Sequence, residues 1–185
     1  KSAAFQLAAL LLPGICLVID PILSLIEDQI ENLRQAGIDR VAQITSAFTG
    51  EERQKIIETF ARGEYLFCYI APERLQDINF RESLRELTSH IPMALVAIDE
   101  AHCVSEWGHD FRPAYLNIAR TCRDYGRSGS GAPPIMALTA TASRSVLKDI
   151  QRELEIHDFE AVITPSSFDR KELIFKSIAC RSDEK

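Results

Sequence analysis

Two neighbouring carboxylates, Asp99 and Glu100, directly follow the uninterrupted apolar run at residues 94–98. Such a run is typical of a strand that is buried on both faces of a parallel sheet, and ligands bind at the carboxyl ends of these strands. Because adjacent side chains on a strand point in opposite directions, we expect one carboxylate to hold a metal ion and the other to face an attacking water. The same pair could instead simply begin a helix, where acidic side chains are stabilised.

Lys1 and Ser2 could supply the other half of such a site. Phosphate-binding loops end in Gly-Lys-Ser/Thr, in which the lysine reaches the β- and γ-phosphates and the hydroxyl binds magnesium. A Lys-Ser dipeptide alone carries no weight. Together with an Asp-Glu pair at a later strand end, it predicts the two halves of a magnesium-nucleotide site.

Strands and helices alternate along the chain and would position these residues. The predicted strands are residues 15–19, 41–45, 65–70, 94–98, 135–139 and 161–164. The predicted helices are residues 2–12, 20–36, 49–63, 80–90, 115–125 and 144–154. Asp20 is expected to cap the second helix, and Thr49 with Glu52 forms a capping-box pattern for the third. Six strands separated by helices predict the α/β class, with a three-layer doubly wound parallel sheet and right-handed crossovers.

The composition sets bounds on the class of protein. A chain of 185 residues forms one domain, or one domain and part of another. A net charge of −6 gives no support to a broad nucleic-acid-binding surface, although it leaves room for a local groove. The five cysteines lack CxxC spacing, which indicates reduced thiols in a cytosolic chain, and Cys16 and Cys68 are expected in the core.

The apolar start of the chain is expected to form a helix ended by Pro13 and Gly14. It resembles a signal peptide, but these two residues and Gln6 interrupt it, and it falls short of the roughly 20 residues that a membrane span needs. We therefore expect no membrane partner. Because residue 1 is not methionine, the chain is expected to begin inside a longer protein.

Several segments together resemble the first motor lobe of a superfamily 2 helicase, and more narrowly that of the RecQ family of DNA helicases. Residues 99–102, DEAH, match a form of the Walker B motif, and residues 103–113, CVSEWGHDFRP, resemble the aromatic-rich loop that follows it in RecQ proteins. Residues 138–142, LTATA, match motif III. The other matches are residues 21–25 with residues 28–29 to motif Ia, residues 71–75 to the next motif, and residues 168–170 to the joint between the motor lobes.

The resemblance implies a RecA-like P-loop NTPase lobe that uses ATP and magnesium. Lys1 would neutralise phosphate charge, while Ser2 and Asp99 would hold the magnesium ion. Glu100 would position or deprotonate the attacking water. His102 would link the nucleotide state to the hydroxyls of Thr139 and Thr141, which are counted among the nucleotide-binding residues.

The resemblance also implies contacts to DNA. The candidate residues are Ser24, Arg74, Trp107, Phe111 and Arg112. The aromatic side chains would stack on bases, which contributes roughly 1–3 kcal/mol per base without sequence preference. The contacts of Ser24 and Arg74 would go to the backbone and carry no sequence information.

The whole protein implied by the resemblance is an ATP-dependent 3′-to-5′ DNA helicase of repair and recombination. Residues 1–166 would be its first lobe, cut at the phosphate loop, and residues 167–185 the joint and the start of a second lobe. Its partners would be single-stranded and duplex DNA and that second lobe. It would lie in the cytoplasm at the nucleoid in a bacterium, or in the nucleus of a eukaryote. The chain alone is expected to hydrolyse ATP negligibly, because the phosphate loop is cut and the arginine finger of the second lobe is missing.

The chain departs from the family pattern at a few positions. Asp20 stands where a small residue is usual, Glu106 where glutamine is common, and residues 171–172 replace Pro-Asn. Two other functions stay open: an RNA-directed DEAH motor, and a non-catalytic nucleic-acid-binding module on the same lobe.

Individual residues also have simpler interpretations. His102, Cys103 and His109 could form a zinc site, although their spacing is poor. Trp107 and Phe111 could form a core stripe of a helix, against which the glycine at residue 108 and the proline at residue 113 argue. The remaining polar residues could have no role beyond a solvated or strand-end position; these are Glu106, Asp110, Thr139, Thr141, Arg144 and Lys148.

Overall fold

The computed structural model describes residues 1–45, 48–107, 110–157, 162–163, 173–174 and 176–177. Its strands are β1 Ile15–Ile19, β2 Val41–Ile44, β3 Phe67–Ile70, β4 Met93–Ile98 and β5 Ile135–Ala137. Its α-helices are α1 Ser2–Leu11, α2 Leu23–Gln35, α3 Gly50–Ala61, α4 Ile78–Thr88, α5 Ile118–Tyr125 and α6 Arg144–Glu153. Short 3₁₀ helices span Pro72–Gln76, Ala101–Val104 and Pro113–Tyr115. Across these described ranges, no helix has both the length and the apolar character that a membrane span requires.

The strands form one sheet in the order β2-β3-β1-β4-β5, and every pair is parallel. Each connection between consecutive strands contains a helix, as parallel pairing requires. The predicted α/β class with a wound parallel sheet is confirmed. The predicted sixth strand lies partly outside the described residues, since only Val162 and Ile163 of it are described and neither is in a strand.

Both faces of the sheet are covered, and β1 shows how. Ile15, Leu17 and Ile19 belong to one buried cluster, while Cys16 and Val18 belong to the other. The first cluster includes side chains of α3, α4, α5 and α6, and the second includes side chains of α1 and α2. Period-two alternation on a strand with two covered faces explains why the apolar runs are continuous.

The capping predictions had different outcomes. Thr49 accepts the Glu52 backbone N–H, and the Glu52 carboxylate accepts the Thr49 N–H, so the predicted capping box is confirmed. The prediction that Asp20 caps α2 is wrong, because the helix begins at Leu23. The Asp20 side chain is fully buried and instead accepts hydrogen bonds from the Ile22 backbone N–H, at 2.9 Å, and from Gln29 Nε2, at 3.2 Å.

Two predicted elements near the sheet's carboxyl edge are shorter than expected. The predicted helix at residues 115–125 starts as the 3₁₀ turn Pro113–Tyr115, and α5 begins only at Ile118. Tyr115 is buried, and its hydroxyl donates to the Asp99 carbonyl at 3.0 Å, which holds this turn under the strand ends. The predicted strand at residues 135–139 ends at Ala137.

Candidate functional site

The ends of β1 and β4 bring separate parts of the chain to one point of the sheet edge. The two strands are adjacent with Ile19 opposite Ile98, so Asp20 and Asp99 follow them side by side. The Asp99 backbone N–H donates to the Ile19 carbonyl at 2.9 Å, which extends the pairing by one residue. The carboxyl edge of the sheet therefore carries an acidic pair from neighbouring strands.

Lys1 joins this edge from the start of α1. Its Nζ atom lies 2.7 Å from Glu100 Oε1 and 3.2 Å from Asp99 Oδ1. The Asp99 side chain is 5% exposed and that of Glu100 is 19% exposed, so the amine closes over two largely enclosed carboxylates. Of the predicted catalytic residues, these three lie in direct contact across almost a hundred residues of sequence.

The backbone at Glu100 explains why both carboxylates face the amine. β4 ends at Ile98, and Glu100 lies in the left-handed region with φ 46°. Side chains there do not follow the alternation of a strand, so the expectation that the two carboxylates point to opposite sides is wrong. The Asp99 carboxylate accepts the Glu100 backbone N–H at 2.9 Å, which fixes this turn. A left-handed conformation is uncommon for a residue other than glycine, and such residues cluster at functional sites.

The charge of Lys1 is maintained by its partners. Burial lowers the pKa of the ammonium group, but the hydrogen bond to Glu100 and the negative charges of Asp99 and Glu100 outweigh it. The net effect raises the pKa of Lys1 above its ordinary value. The site therefore combines a permanent cation with two acids.

His102 connects this cluster to the segment after β5. Its Nδ1 atom lies 3.2 Å from Glu100 Oε2 and 3.0 Å from Thr139 Oγ1. The Thr139 hydroxyl donates its one hydrogen to the Thr141 carbonyl, so the Nδ1 atom of His102 is the donor toward Thr139, and the same N–H faces Glu100 Oε2. Thr141 contributes its backbone, whose N–H donates back to Thr139 Oγ1 at 3.2 Å.

Ser2 is the first residue of α1 and is partly exposed beside Lys1. The N-terminus of a helix presents unpaired backbone N–H groups and the positive end of the helix dipole. No acidic residue occupies the first turn of α1. The arrangement can accept an anion such as a phosphate next to the Lys1 amine.

The predicted DNA-contacting residues lie in different settings. Trp107 is 80% exposed in a turn, so its interpretation as a core residue of a helix is wrong. Arg112 reaches back to the start of α2, where Nη1 donates to the Pro21 carbonyl at 3.3 Å. Phe111, which lies between them in the sequence, is partly exposed. Residues 108–109, including His109 of the zinc hypothesis, lie outside the described residues.

The other two candidates are separate from this turn. Ser24 is exposed in the first turn of α2. The Arg74 side chain is largely enclosed, and its Nη1 atom donates to Asp77 Oδ2 at 3.0 Å. A contact from Arg74 to a ligand would require this side chain to turn outward.

Three residues of the site carry contacts that the sequence analysis did not predict. Asp20 could have been noticed, since it follows β1 as Asp99 follows β4. Burial raises the pKa of its carboxyl to about 6, and the charges of Asp99 and Glu100 add to the shift. Ser105 and Asp149 form a buried hydrogen bond of 2.6 Å between Oγ and Oδ2, for which no local sequence pattern exists.

Within the described part of the chain, no group of three or more His, Cys, Asp or Glu side chains could hold a metal ion. Cys103 is buried, and burial raises the pKa of its thiol to about 11, which disfavours the thiolate that zinc requires. The predicted joint at residues 168–170 lies outside the described residues.

Comparison with known proteins places the chain among helicases. A family model described as DEAD/DEAH box helicase matches residues 1–150. The ATP-dependent DNA helicase RecQ of Bacillus subtilis (strain 168) is 42% identical over 178 residues, or 96% of this chain. The ATP-dependent DNA helicase Q5 of Mus musculus is 36% identical over 158 residues, or 84% of this chain. The chain spans 28% of the length of the first relative and 16% of the second. The resemblance to RecQ helicases indicated by the motifs is confirmed.

A solved structure supports the fold. The crystal structure of the Pyrococcus furiosus Hef helicase domain matches with a TM-score of 0.60 and 20% identity, covering 85% of this chain and 31% of that one. At this identity the similarity concerns the fold alone, and it agrees with the predicted RecA-like architecture.

Proposed function

The chain belongs to the DEAD/DEAH box helicase family, and from this premise we propose that it is the first motor lobe of an ATP-dependent DNA helicase of RecQ type. Residues 1–166 form this lobe in the proposal. Residues 167–185 lead into a second lobe, and the full-length protein unwinds duplex DNA with 3′-to-5′ polarity. Its repair and recombination roles and its place at the nucleoid or in the nucleus belong to the same proposal.

The observation that carries the proposal is the Lys1 amine held between Asp99 and Glu100 at the N-terminus of α1. Two carboxylates at one sheet edge repel each other unless a cation lies between them. In the structure Lys1 supplies that cation. A triphosphate at the α1 N-terminus would offer Lys1 a stronger partner, and the amine would move from the acids to the phosphates.

The residues proposed to hold magnesium have side chains of the chemical type that this ion binds. Ser2 and Asp99 offer a hydroxyl and a carboxylate, the hard oxygen ligands that magnesium prefers. Magnesium in nucleotide sites is usually held by one or two carboxylates together with substrate phosphates, so a dense cluster of protein ligands is not needed. When bound with ATP, the ion would neutralise charge on the phosphates.

Glu100 is the residue we assign to the attacking water. Its Oε2 atom is held by His102, which leaves Oε1 for a water once Lys1 turns toward phosphate. A carboxylate so placed can accept the proton of the water. His102 in turn contacts Thr139, and through this contact it would link Glu100 to the Thr139–Thr141 segment.

The nucleic-acid contacts of the proposal lie on the turn that follows. Trp107 offers an exposed ring for base stacking. Phe111 and Arg112 follow it in the sequence and are partly exposed, and Ser24 is exposed on α2. Stacking is tolerant of sequence, which suits a protein that moves along a strand. The net charge of −6 gives no support to a broader basic surface, so the proposal relies on these local contacts.

The test is Glu100→Gln in the full-length protein. Glutamine keeps the size of the side chain but cannot accept the proton, so ATP turnover should fall by about a thousandfold, within the range for loss of a general base and its electrostatic contribution. ATP binding should persist. Glu106→Gln, an exposed position nearby, is the matched control and should keep normal turnover. Retained turnover in Glu100→Gln would contradict the proposal.

A further inference from the structure

A buried hydrogen bond links α6 to the base of the Trp107 turn. The Ser105 hydroxyl donates to Asp149 Oδ2 at 2.6 Å, across 44 residues of sequence. Ser105 is buried, and the Asp149 side chain is 12% exposed. A hydrogen bond to a carboxylate at this length is of the short, charge-assisted kind.

The serine hydroxyl passes this contact on to Trp107. Because its hydrogen is committed to Asp149, its oxygen can act toward Trp107 only as an acceptor. It accepts the Trp107 backbone N–H at 3.2 Å. Asp149 therefore fixes the orientation of the Ser105 hydroxyl. The hydroxyl in turn fixes the position of the Trp107 backbone, which carries the exposed indole ring.

Packing alone does not explain a carboxylate at this position. Asp149 also pairs with Arg152 at 3.0 Å, but that arginine side chain is 69% exposed, and an exposed ion pair contributes little. Enclosing a carboxylate costs free energy unless it is hydrogen-bonded. The Ser105 hydroxyl is the partner on the enclosed side.

A second contact runs parallel to the first. His102 bonds Thr139 just before α6, and Ser105 bonds Asp149 within α6. The segment at residues 102–105 is thus tied at both ends to the segment at residues 139–149. At one end of the segment His102 contacts Glu100, and at the other end Ser105 bonds the Trp107 backbone.

We propose that Asp149, acting through Ser105, is a positioning residue that holds Trp107 for contact with single-stranded DNA and transmits that contact to the nucleotide site. The inference rests on the proposed function, since it assigns Trp107 to DNA and Glu100 to hydrolysis. In this proposal Asp149 and Ser105 act indirectly, and neither side chain contacts nucleotide or DNA.

The first test measures ATP turnover of the full-length protein with and without single-stranded DNA. Ser105→Ala should leave the turnover without DNA unchanged and reduce the DNA stimulation by about tenfold or more, as expected for loss of a hydrogen bond to a charged group. Asp149→Ala should do the same. Asp149→Asn keeps an acceptor for the hydroxyl and should retain most of the stimulation.

Two control variants separate this role from general stability. Ser83→Ala removes another buried serine hydroxyl, which donates to the Phe80 carbonyl at 2.7 Å on α4, away from the turn. Arg152→Ala removes only the exposed partner of Asp149. Both controls should keep the DNA stimulation of the unmodified protein.

The second test uses Trp107 itself, the only tryptophan of the 185-residue chain. Time-resolved fluorescence anisotropy of this chain should show larger nanosecond motion of the indole in Ser105→Ala than in Ser83→Ala. Unchanged anisotropy, or full DNA stimulation in Ser105→Ala, would overturn the inference. An unmodified full-length protein without any DNA-stimulated turnover would contradict the proposed function, and the inference would fall with it.

Discussion

Two regions lie close together in the sequence and differ in how they are built. The cluster consists of Lys1, Asp99, Glu100 and His102, and the turn contains Trp107. In the cluster, charged side chains are partly enclosed and bonded to one another. In the turn, the Trp107 side chain is exposed, and among the described residues the hydrogen bond to Trp107 is made through its backbone N–H. The first arrangement suits a charged ligand that replaces internal ion pairs, and the second suits a flat ligand that adds to an open surface.

The comparison also separates what the two regions do to the fold. The acids of the cluster end the strands β1 and β4, so they are part of the sheet edge. Trp107 follows a 3₁₀ turn and contributes little to the buried clusters. Changes in the cluster should therefore affect both chemistry and stability, whereas changes in the turn should affect mainly binding.

Lys1→Met would break the cluster and should have the largest effect. The change leaves Asp99 and Glu100 without their shared cation and removes the charge proposed to meet the phosphates. ATP turnover of the full-length protein should fall by about a thousandfold, the loss typical of a preorganised electrostatic contact. Lys55→Met, at an exposed position on α3, is the control and should keep normal turnover. Turnover within a few-fold of normal in Lys1→Met would show that the Lys1 amine has no major role in ATP hydrolysis.

Trp107→Ala tests the open side of the comparison. The lost stacking surface should weaken single-stranded DNA binding by about ten- to a hundredfold, from roughly 1–3 kcal/mol per stacked base. Fluorescence titration with labelled DNA of mixed sequence would measure this. Ile78→Ala removes another exposed apolar side chain, on α4, and should bind DNA normally. Equal affinities for Trp107→Ala and this control would show that the ring is not a DNA contact.

Asp20→Asn sharpens the comparison, because Asp20 is the acid of the cluster region that has no cation of its own. Burial raises the pKa of its carboxyl to about 6 in the folded chain, above the value of about 3.9 in an unfolded chain. A group with a raised pKa contributes stability below its unfolded pKa, and that contribution is lost as the pH rises through the folded pKa. Asparagine avoids this loss, and its amide oxygen can still accept the Ile22 backbone N–H that Asp20 accepts.

The expected result is a gain of about 1–2 kcal/mol in the free energy of unfolding at pH 8 and no gain near pH 3.5. Urea unfolding of the 185-residue chain at both pH values would measure it. Asp124→Asn, an exposed position on α5, should show no such pH dependence. A gain of equal size at both pH values would mean that charge burial is not its cause.

The sequence was informative where a local pattern determines the outcome. Continuous apolar runs placed β1, β3 and β4 to within two residues of their starts, and Thr49 with Glu52 marked the start of α3. The Asp99–Glu100 pair and Lys1 were singled out because their residue types match a known chemistry. The predicted parallel sheet then placed the two acids at its carboxyl edge, where Lys1 contacts them in the structure.

What the sequence did not reveal depends on long-range geometry. The position of Asp20 before a proline predicts a helix cap, but its buried carboxylate instead accepts from Ile22, just before α2, and from Gln29 within α2. The left-handed Glu100 overrides strand alternation, since Asp99 bonds its backbone N–H. Ser105 and Asp149 are 44 residues apart and meet only when α6 packs against the turn after β4.

The most direct test of the account is the rate of ATP hydrolysis by the unmodified full-length protein, measured with single-stranded DNA, with single-stranded RNA and without nucleic acid. If the enclosed cluster cleaves the nucleotide and the open turn binds DNA, the rate should rise strongly with DNA and much less with RNA. A rate that is indifferent to DNA, or higher with RNA, would contradict the assignment of the two regions.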